Sequence, residues 1–185
     1  MELVKGGDFS AFDELYNRYN RPIYRFLYSL TWDSETAKDY LQEVFFRLYK
    51  SRHRYEPSGK FAVFIYRIAR NHYLSERRKA KSHGTEVSLS FEAADGSRPF
   101  ENLRANERIE PEVHLLDDYR RWRIRQAIDS LPAHQKLVFV MSNLHGMKYS
   151  EIAEVLDVPV GTVKSRMFSA VKTLRNLLKE EPNEL

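Results

Sequence analysis

The stretch that most constrains the fold is 149–178, where a proline separates two segments that have helical spacing. Pro159 fits the first turn of a helix but not its interior, so one helix must end before it and another must begin there. The second segment repeats apolar residues at the spacing of a single helix face. These residues are Val163, Met167, Ala170, Val171, Leu174, Leu177 and Leu178. A short helix, a tight break and a longer helix predict a helix-turn-helix.

The opposite face of the longer helix carries cations and hydroxyls, and no acidic residue occurs between Val158 and Lys179. Such a face suits a phosphate backbone, although a basic solvent-exposed helix is the alternative. The preceding helix and the turn favour DNA binding. Residues in the first two turns can reach base edges in the major groove, and later ones are better placed for phosphates. The outward candidates are Thr162, Lys164, Ser165, Arg166, Phe168, Lys172 and Arg175.

Charge is segregated along the 185-residue chain, although the net charge is only +4. Residues 60–83 carry seven Lys and Arg against one acid, residues 158–179 carry five against none, and the remainder is acidic overall. Basic residues gathered in this way would release counterions from phosphates. Two separate basic patches therefore indicate two nucleic-acid contacts.

Composition also argues against several classes of protein. The chain has no cysteine, which excludes disulfides and thiolate metal sites, and its six histidines show no close ligand spacing with carboxylates. No apolar run is long enough to span a bilayer, and no signal-peptide core is present, so a cytoplasmic protein without membrane insertion is expected. No glycine loop for nucleotides and no nucleophile arrangement is evident, so we expect no catalytic residue, no cofactor and no metal.

Three amphipathic helices are predicted in the amino-terminal part, over residues 11–30, 34–50 and 60–79. Pro22 is expected to bend the first helix or divide it in two. On the second helix, the face away from the apolar stripe carries Asp39, Gln42, Glu43 and Phe46. An exposed aromatic residue beside carboxylates can mark a protein contact, but it occurs equally on an idle surface. These residues alone leave both interpretations open.

The third helix interleaves aromatic residues with arginines. Unpaired bases stack on aromatic or guanidinium planes while cations hold the backbone, so this composition suits single-stranded or melted DNA. Most of the aromatic residues are expected in the core. The candidates that core packing leaves free are Arg54 and Tyr55 in the preceding loop and Tyr66, Arg67, Arg70 and Asn71 on the helix, followed by Arg77 and Arg78.

From residue 81 to residue 111 the helical pattern disappears, which indicates an interdomain linker. Helices over 111–131 and 133–144 then precede the helix-turn-helix. The first runs through apolar positions that include Tyr119, Trp122 and Ile124, and the second has Leu144 among its expected core residues. The predicted fold is therefore all-α, with two small helical domains joined by a flexible linker. The first domain covers 1–80, and the second, a four-helix domain containing the helix-turn-helix, covers 112–185.

In this order, the motifs resemble the extracytoplasmic-function group of bacterial sigma factors over nearly the whole chain apart from the linker. DYLQEVFFRLYK at 39–50 is similar to the segment that docks on the clamp helices of the largest polymerase subunit. FAVFIYRIARNHYLSERRK at 61–79 is similar to the helix that melts and reads the minus-ten element. Residues 131–175 are similar to the domain that reads the minus-thirty-five element. The tryptophan common in the family before the Tyr-Arg-Ile-Ala run is Phe64 here.

The resemblance implies a sigma factor that binds core RNA polymerase, directs it to promoters and helps to open the minus-ten region. It assigns the polymerase contact to Asp39, Gln42, Glu43 and Phe46. It assigns the minus-ten contact to Arg54, Tyr55, Tyr66, Arg67, Arg70, Asn71, Arg77 and Arg78, with the loop at 51–59. It assigns the minus-thirty-five contact to the outward face of the last helix, at Thr162, Lys164, Ser165, Arg166, Phe168, Lys172 and Arg175. It further implies an anti-sigma partner.

Two other functions compete with that of a sigma factor. A helix-turn-helix regulator that acts through its carboxyl-terminal domain alone would explain residues 112–178. It would leave the second basic helix and the 39–46 face without a purpose. An enzyme acting on nucleic acid is more remote, because no catalytic constellation is evident.

Overall fold

The computed structural model describes residues 1–55, 60–82 and 111–179, without the side chains of Arg54 and of residues 111–117. Every regular element in these ranges is helical. The elements are α1 (Glu2–Lys5), α2 (Phe9–Thr31), α3 (Ser34–Lys50), a 3-10 turn (Arg52–Arg54), α4 (Phe61–Ser82), α5 (Pro111–Asp129), α6 (Ala133–Phe139), a π-helical segment (Val140–Leu144), α7 (Tyr149–Leu156) and α8 (Val160–Lys179). The all-α prediction is confirmed, and nearly all of the predicted linker lies outside the described residues.

The elements form two packed groups. In the amino-terminal domain α2 packs on α3 and α3 on α4, and in the carboxyl-terminal domain α8 packs on α5, α6 and α7. The two domains also contact one another, α4 against α7 and α2 against the π-helical segment. Their buried apolar residues form one continuous cluster, because Ile23, Phe26 and Ile65 lie in the same core as residues of the second domain such as Val138 and Ile152.

Aspartates cap the amino ends of α2 and α3 in the first domain. Asp8 accepts a hydrogen bond from the N–H of Ala11 at 3.1 Å, and Asp33 accepts one from Thr36 at 2.7 Å. Each bond satisfies an N–H that has no partner within the helix. Hydrogen bonding from Thr36 also lowers the pKa of the Asp33 carboxyl. As predicted, α3 covers 34–50, whereas α2 continues through Pro22 as one helix instead of dividing.

Several residues at the apolar positions of the predicted helices are exposed. On α5, Tyr119, Trp122 and Ile124 are 55%, 43% and 47% exposed. On α8, the residues of the predicted stripe that are exposed are Val171, Leu177 and Leu178. A periodic stripe shows which side of a helix is apolar, but not how much of that side the neighbouring helices cover.

The helix predicted over 133–144 changes its winding part-way. After α6 ends, the N–H of His145 donates to the carbonyl oxygen of Val140, five residues earlier, at 3.2 Å. The wider π turn shifts the following residues around the helix axis. Leu144, expected in the core, is therefore exposed, whereas the His145 ring packs against Phe26 of α2.

Candidate nucleic-acid and polymerase interfaces

One side of α4 forms a shallow basic groove. Arg70, Asn71, Leu74 and Arg78 line it, and its volume is about 370 Å³. Residues spaced by three and four positions share one face of a helix, which is why these side chains lie together. Two guanidinium groups and an amide around one groove offer several N–H donors to phosphate oxygens. The sequence-predicted trio of Arg70, Asn71 and Arg78 is thus brought together by the fold.

Arg67 and Arg70 extend from α4 to the second domain. The Nη2 of Arg67 donates to the carbonyl oxygen of Glu154 at 2.7 Å, and the Nη1 of Arg70 donates to that of Val155 at 3.1 Å. Both carbonyls belong to the last turn of α7, where helix carbonyls have no partner within the helix. Burial, followed by the nearby charge of Arg67, lowers the pKa of Arg70. Two residues predicted to bind DNA are therefore hydrogen-bonded to backbone carbonyls of α7 in this arrangement.

The remaining candidates near the basic groove differ in their surroundings. The ring of Tyr66 packs on Phe26 at 5.2 Å between centroids, and burial raises the pKa of its hydroxyl. Tyr66 is therefore a packing residue and does not hold the free surface position that the sequence suggested. Tyr55 follows the 3-10 turn and packs edge-on against Phe64 at 5.1 Å. Arg77 remains exposed and donates to the hydroxyl of Tyr73 at 3.0 Å.

The candidate polymerase face lies on the outer side of α3. Asp39 and Gln42 are exposed, and the ring of Phe46 is 54% exposed one turn further along. The hydrogen bond from the Nε of Arg47 to Glu43, 2.6 Å long, lowers the pKa of the Glu43 carboxyl. The ammonium of Lys50 lies 4.8 Å from the centroid of the Phe46 ring, so this face combines an exposed aromatic ring with charges of both signs. Such a combination suits a protein contact.

A sharp turn separates α7 from α8. Asp157 closes α7 with a φ of 55°, in the left-handed region that aspartate tolerates better than most residues. Pro159 follows, and its carbonyl oxygen accepts from the N–H of Thr162 at 2.9 Å, as the first turn of α8 begins. The helix-turn-helix prediction is confirmed in its elements, with the break at the residues expected.

The solvent face of α8 gathers the candidates for duplex DNA. Lys164 and Ser165 are exposed in the first turns, Phe168 is 73% exposed, and Arg166 and Thr162 are partly exposed. Lys172 and Arg175 lie exposed in the later turns. The opposite side is buried and fixes the helix to its domain, through Val163, Met167, Ala170 and Leu174. All seven candidates therefore lie on a helix whose orientation is set by packing.

Two polar residues between the domains were not singled out by the sequence analysis. Lys136 is 3% exposed, and its Nζ donates to the carbonyl oxygen of Leu30 at 2.6 Å while it pairs with Asp129. His145 lies 3.2 Å from the hydroxyl of Ser29, and burial lowers its pKa to about 4. A lysine inside an apolar stretch signals a specific partner, but the sequence does not show which one.

Within the described ranges, no three His, Cys, Asp or Glu side chains are placed to hold a metal ion. None of the described helices is both long and apolar enough to cross a membrane.

Comparison with known sequences links both domains to bacterial transcription. Residues 15–83 match Sigma-70 region 2, and residues 121–174 match Sigma-70, region 4. The RNA polymerase sigma-H factor of Pseudomonas aeruginosa is 31% identical, over 97% of this chain and 94% of the relative. The ECF RNA polymerase sigma factor SigW of Bacillus subtilis is also 31% identical, over 97% and 95%. The chain belongs to the extracytoplasmic-function sigma factors.

This sigma factor also shares its fold with solved structures. CnrH, in complex with the cytosolic domain of CnrY, aligns with a TM-score of 0.68 at 19% identity, over 98% of this chain and 96% of that chain. RpoE of Bartonella quintana, in complex with the anti-sigma factor NepR, aligns with a TM-score of 0.65 at 19% identity, over 93% and 99%. As a sigma factor, the chain directs RNA polymerase to promoters. A regulator acting through its carboxyl-terminal domain alone is not favoured, because both sigma regions match.

Proposed function

We propose that this sigma factor divides promoter recognition between two basic helices and holds core polymerase through α3. The observation that carries the proposal is the acid-free outer face of α8 in one domain together with the basic groove of α4 in the other. A regulator that binds one duplex site needs one such surface. Two surfaces on separate domains suit a promoter with two recognition elements.

Core polymerase would bind the outer face of α3. Phe46 offers an exposed apolar ring, and the carboxylates of Asp39 and Glu43 lie on the same side of the helix. A buried aromatic anchor surrounded by charge pairs is a common arrangement in stable interfaces. Gln42 completes the face as a neutral donor and acceptor.

The minus-ten strand would bind the groove of α4. Arg70, Asn71 and Arg78 line this groove, Arg67 and Arg77 flank it, and the exposed cations would hold the backbone of the melted strand. The preceding loop, 51–59, would hold a base outside the stack. Extrusion of a base costs a few kcal/mol, which contacts in a shaped pocket must offset. Arg54 and Tyr55 belong to that loop. Tyr66 would act through packing on Phe26.

The minus-thirty-five duplex would bind the amino-terminal turns of α8. Lys164, Ser165, Arg166 and Phe168 would reach base edges, with Thr162 beside them, while Lys172 and Arg175 would contact phosphates. A phenylalanine that is 73% exposed would contact a thymine methyl group or a sugar once it is covered by DNA.

Further features follow from this assignment. The domains would be 1–80 and 112–185, joined by 81–111, and the protein would work in the cytoplasm beside RNA polymerase. It would carry out no covalent chemistry itself. Since a neighbour of the same fold was solved with an anti-sigma factor, we also infer that an anti-sigma partner covers some of these faces in the inactive state.

Transcription in vitro tests the proposal. Purified chain and core polymerase are incubated with genomic fragments, and the transcripts are mapped. We expect initiation at a defined set of promoters that core polymerase alone ignores. Unchanged transcription on every fragment would overturn the proposed function.

A further inference from the structure

We propose that this sigma factor inhibits itself, because the last turn of α7 occupies the arginines of α4 that the minus-ten strand requires. This inference rests on the proposed role of α4 in binding the minus-ten strand. It concerns the chain alone, without a partner protein. The inhibited form is the arrangement of the two domains described above, which we call the closed form.

Three basic side chains of the first domain contact α7 in the closed form. Arg67 and Arg70 donate to the carbonyl oxygens of Glu154 and Val155, at 2.7 and 3.1 Å. Lys60, just before α4, pairs with Glu151 at 3.4 Å. The contacts thus extend along one side of α4 and meet both turns of the short helix α7.

The carboxyl end of α7 offers these arginines the same chemistry as a DNA backbone. Unpaired carbonyl oxygens and the helix dipole give it partial negative charge. Asp157, the residue that ends α7, is close enough to stabilise the charge of Arg70. A guanidinium group binds carbonyl and phosphate oxygens through the same N–H donors. Because one N–H of each arginine already donates to α7, which holds both side chains against it, a DNA strand must compete with α7 for Arg67 and Arg70.

The closed form is also too short to reach both promoter elements. About 25 base-pair steps separate minus thirty-five from minus ten, which is about 85 Å along a duplex. Val155 contacts Arg70 at 3.1 Å, and α8 begins at Val160, five residues later. Five residues span at most about 18 Å. The amino end of the recognition helix therefore lies close to α4, and the domains must separate before both elements are bound.

Polar contacts hold the other side of this interface. Lys136 reaches the carbonyl oxygen of Leu30, and the guanidinium of Arg125 lies 5.4 Å from the centroid of the Trp32 ring. Water replaces these polar contacts when the domains part, which offsets part of their loss. Opening also exposes apolar residues that the two domains share, such as Phe26 and Ile65, so the closed form is held by both kinds of contact.

A reversible bridge between the domains tests the proposal. The chain has no cysteine, so a variant with Lys60→Cys and Glu151→Cys carries two thiols, one on each side of the interface. A short bis-maleimide with a disulfide in its linker would bridge them in the closed form. The matched control is the same variant with both thiols capped by N-ethylmaleimide. It shares every substitution but can still open.

We expect efficient bridging in native buffer and little in denaturant. With core polymerase, on the promoter fragments found in the transcription assay, the bridged chain should give transcripts reduced by about tenfold or more relative to the capped chain. Reduction of the linker should restore them. Failure to bridge in native buffer, or a bridged chain as active as the capped one, would overturn the proposal.

A second readout separates this proposal from the proposed function. Binding of a labelled single-stranded oligonucleotide is measured without polymerase, with the capped chain and with the bridged chain. The capped chain should bind it at least about tenfold more tightly. If the capped chain and the wild type drive no transcription, the proposed function fails, while the ratio of the two affinities still decides whether closure blocks α4. Equal affinities would contradict self-inhibition.

Discussion

The amine of Lys136 donates to the carbonyl oxygen of Leu30, 106 residues earlier in the chain, at 2.6 Å. Leu30 lies in the last turn of α2, so a cation from the second domain meets the negative end of a helix in the first. Lys136 is 3% exposed and also pairs with Asp129 of its own domain. The contact therefore joins the two domains at a point where water is largely excluded.

We expect Lys136→Met to loosen the closed form. The apolar chain keeps much of the volume but leaves the Leu30 carbonyl without its donor, at a cost of about 1–3 kcal/mol. The free energy of unfolding in urea and the transfer efficiency between dyes on Arg18→Cys and Lys179→Cys should both fall. Lys136→Arg, which keeps the charge, is the control. An unchanged dye distance in Lys136→Met would show that the lysine does not hold the domains together.

Asp39→Arg combined with Phe46→Ala should abolish co-purification with core polymerase. The change reverses one charge and removes the aromatic anchor of the α3 face, whereas both sites are exposed, so the fold should survive. Circular dichroism checks the fold. The control is Glu14→Ala with Arg18→Ala, which removes an exposed ion pair on α2. Polymerase retained equally by both double variants would refute the assignment of the α3 face.

Lys164→Ala and Arg166→Ala should each weaken promoter binding by the holoenzyme. A base contact is worth about 1–3 kcal/mol, and its loss should relax the preference at one position of the minus-thirty-five element. Competition binding with a set of single-base variants measures both effects. Lys179→Ala, at the far end of the same helix, removes an equal charge as a control. If all three variants bind alike, α8 does not read bases through its first turns.

The closed form should weaken as the pH falls. The pKa of His145 is about 4 in the closed form because of burial, followed by the positive charge of Arg25, and about 6.5 when the ring is in water. A depressed pKa means that closure favours the neutral ring. The contribution of His145 to the stability of the closed form is therefore complete above pH 6.5 and is lost progressively towards pH 4. The equilibrium constant for closing therefore falls by at most about tenfold for each pH unit.

The dye pair measures this titration between pH 7 and pH 5. The hydroxyl of Ser29 donates to the carbonyl oxygen of Arg25 at 2.8 Å, so the Nε2 of His145 must donate to Ser29. His145→Gln keeps such a donor but does not titrate, and it should flatten the pH dependence. A variant that opens with falling pH as the wild type does would assign the effect to other groups.

The sequence predicted the elements better than it predicted their contacts. The range of α3 and the turn after Asp157 agree with the sequence-based prediction. Both depend on local properties, namely the spacing of apolar residues and the residue types at a turn. Tyr119 and Trp122 lie at apolar positions of the predicted helix but are exposed, since a helical stripe does not reveal how much of it neighbouring helices cover. The closed form was also missed, because the bond from Arg70 to Val155 joins residues 85 positions apart.

Footprinting of the reconstituted holoenzyme on a promoter tests the central claim most directly. If α4 and α8 both bind DNA, the holoenzyme should protect two regions about 25 base pairs apart, with reactive unpaired bases at the minus-ten region. Lys164→Ala with Arg166→Ala should lose the upstream protection first. Arg70→Ala with Arg78→Ala should lose the reactive bases at minus ten. A single protected region, sensitive to the α8 variant and indifferent to the α4 variant, would contradict the account.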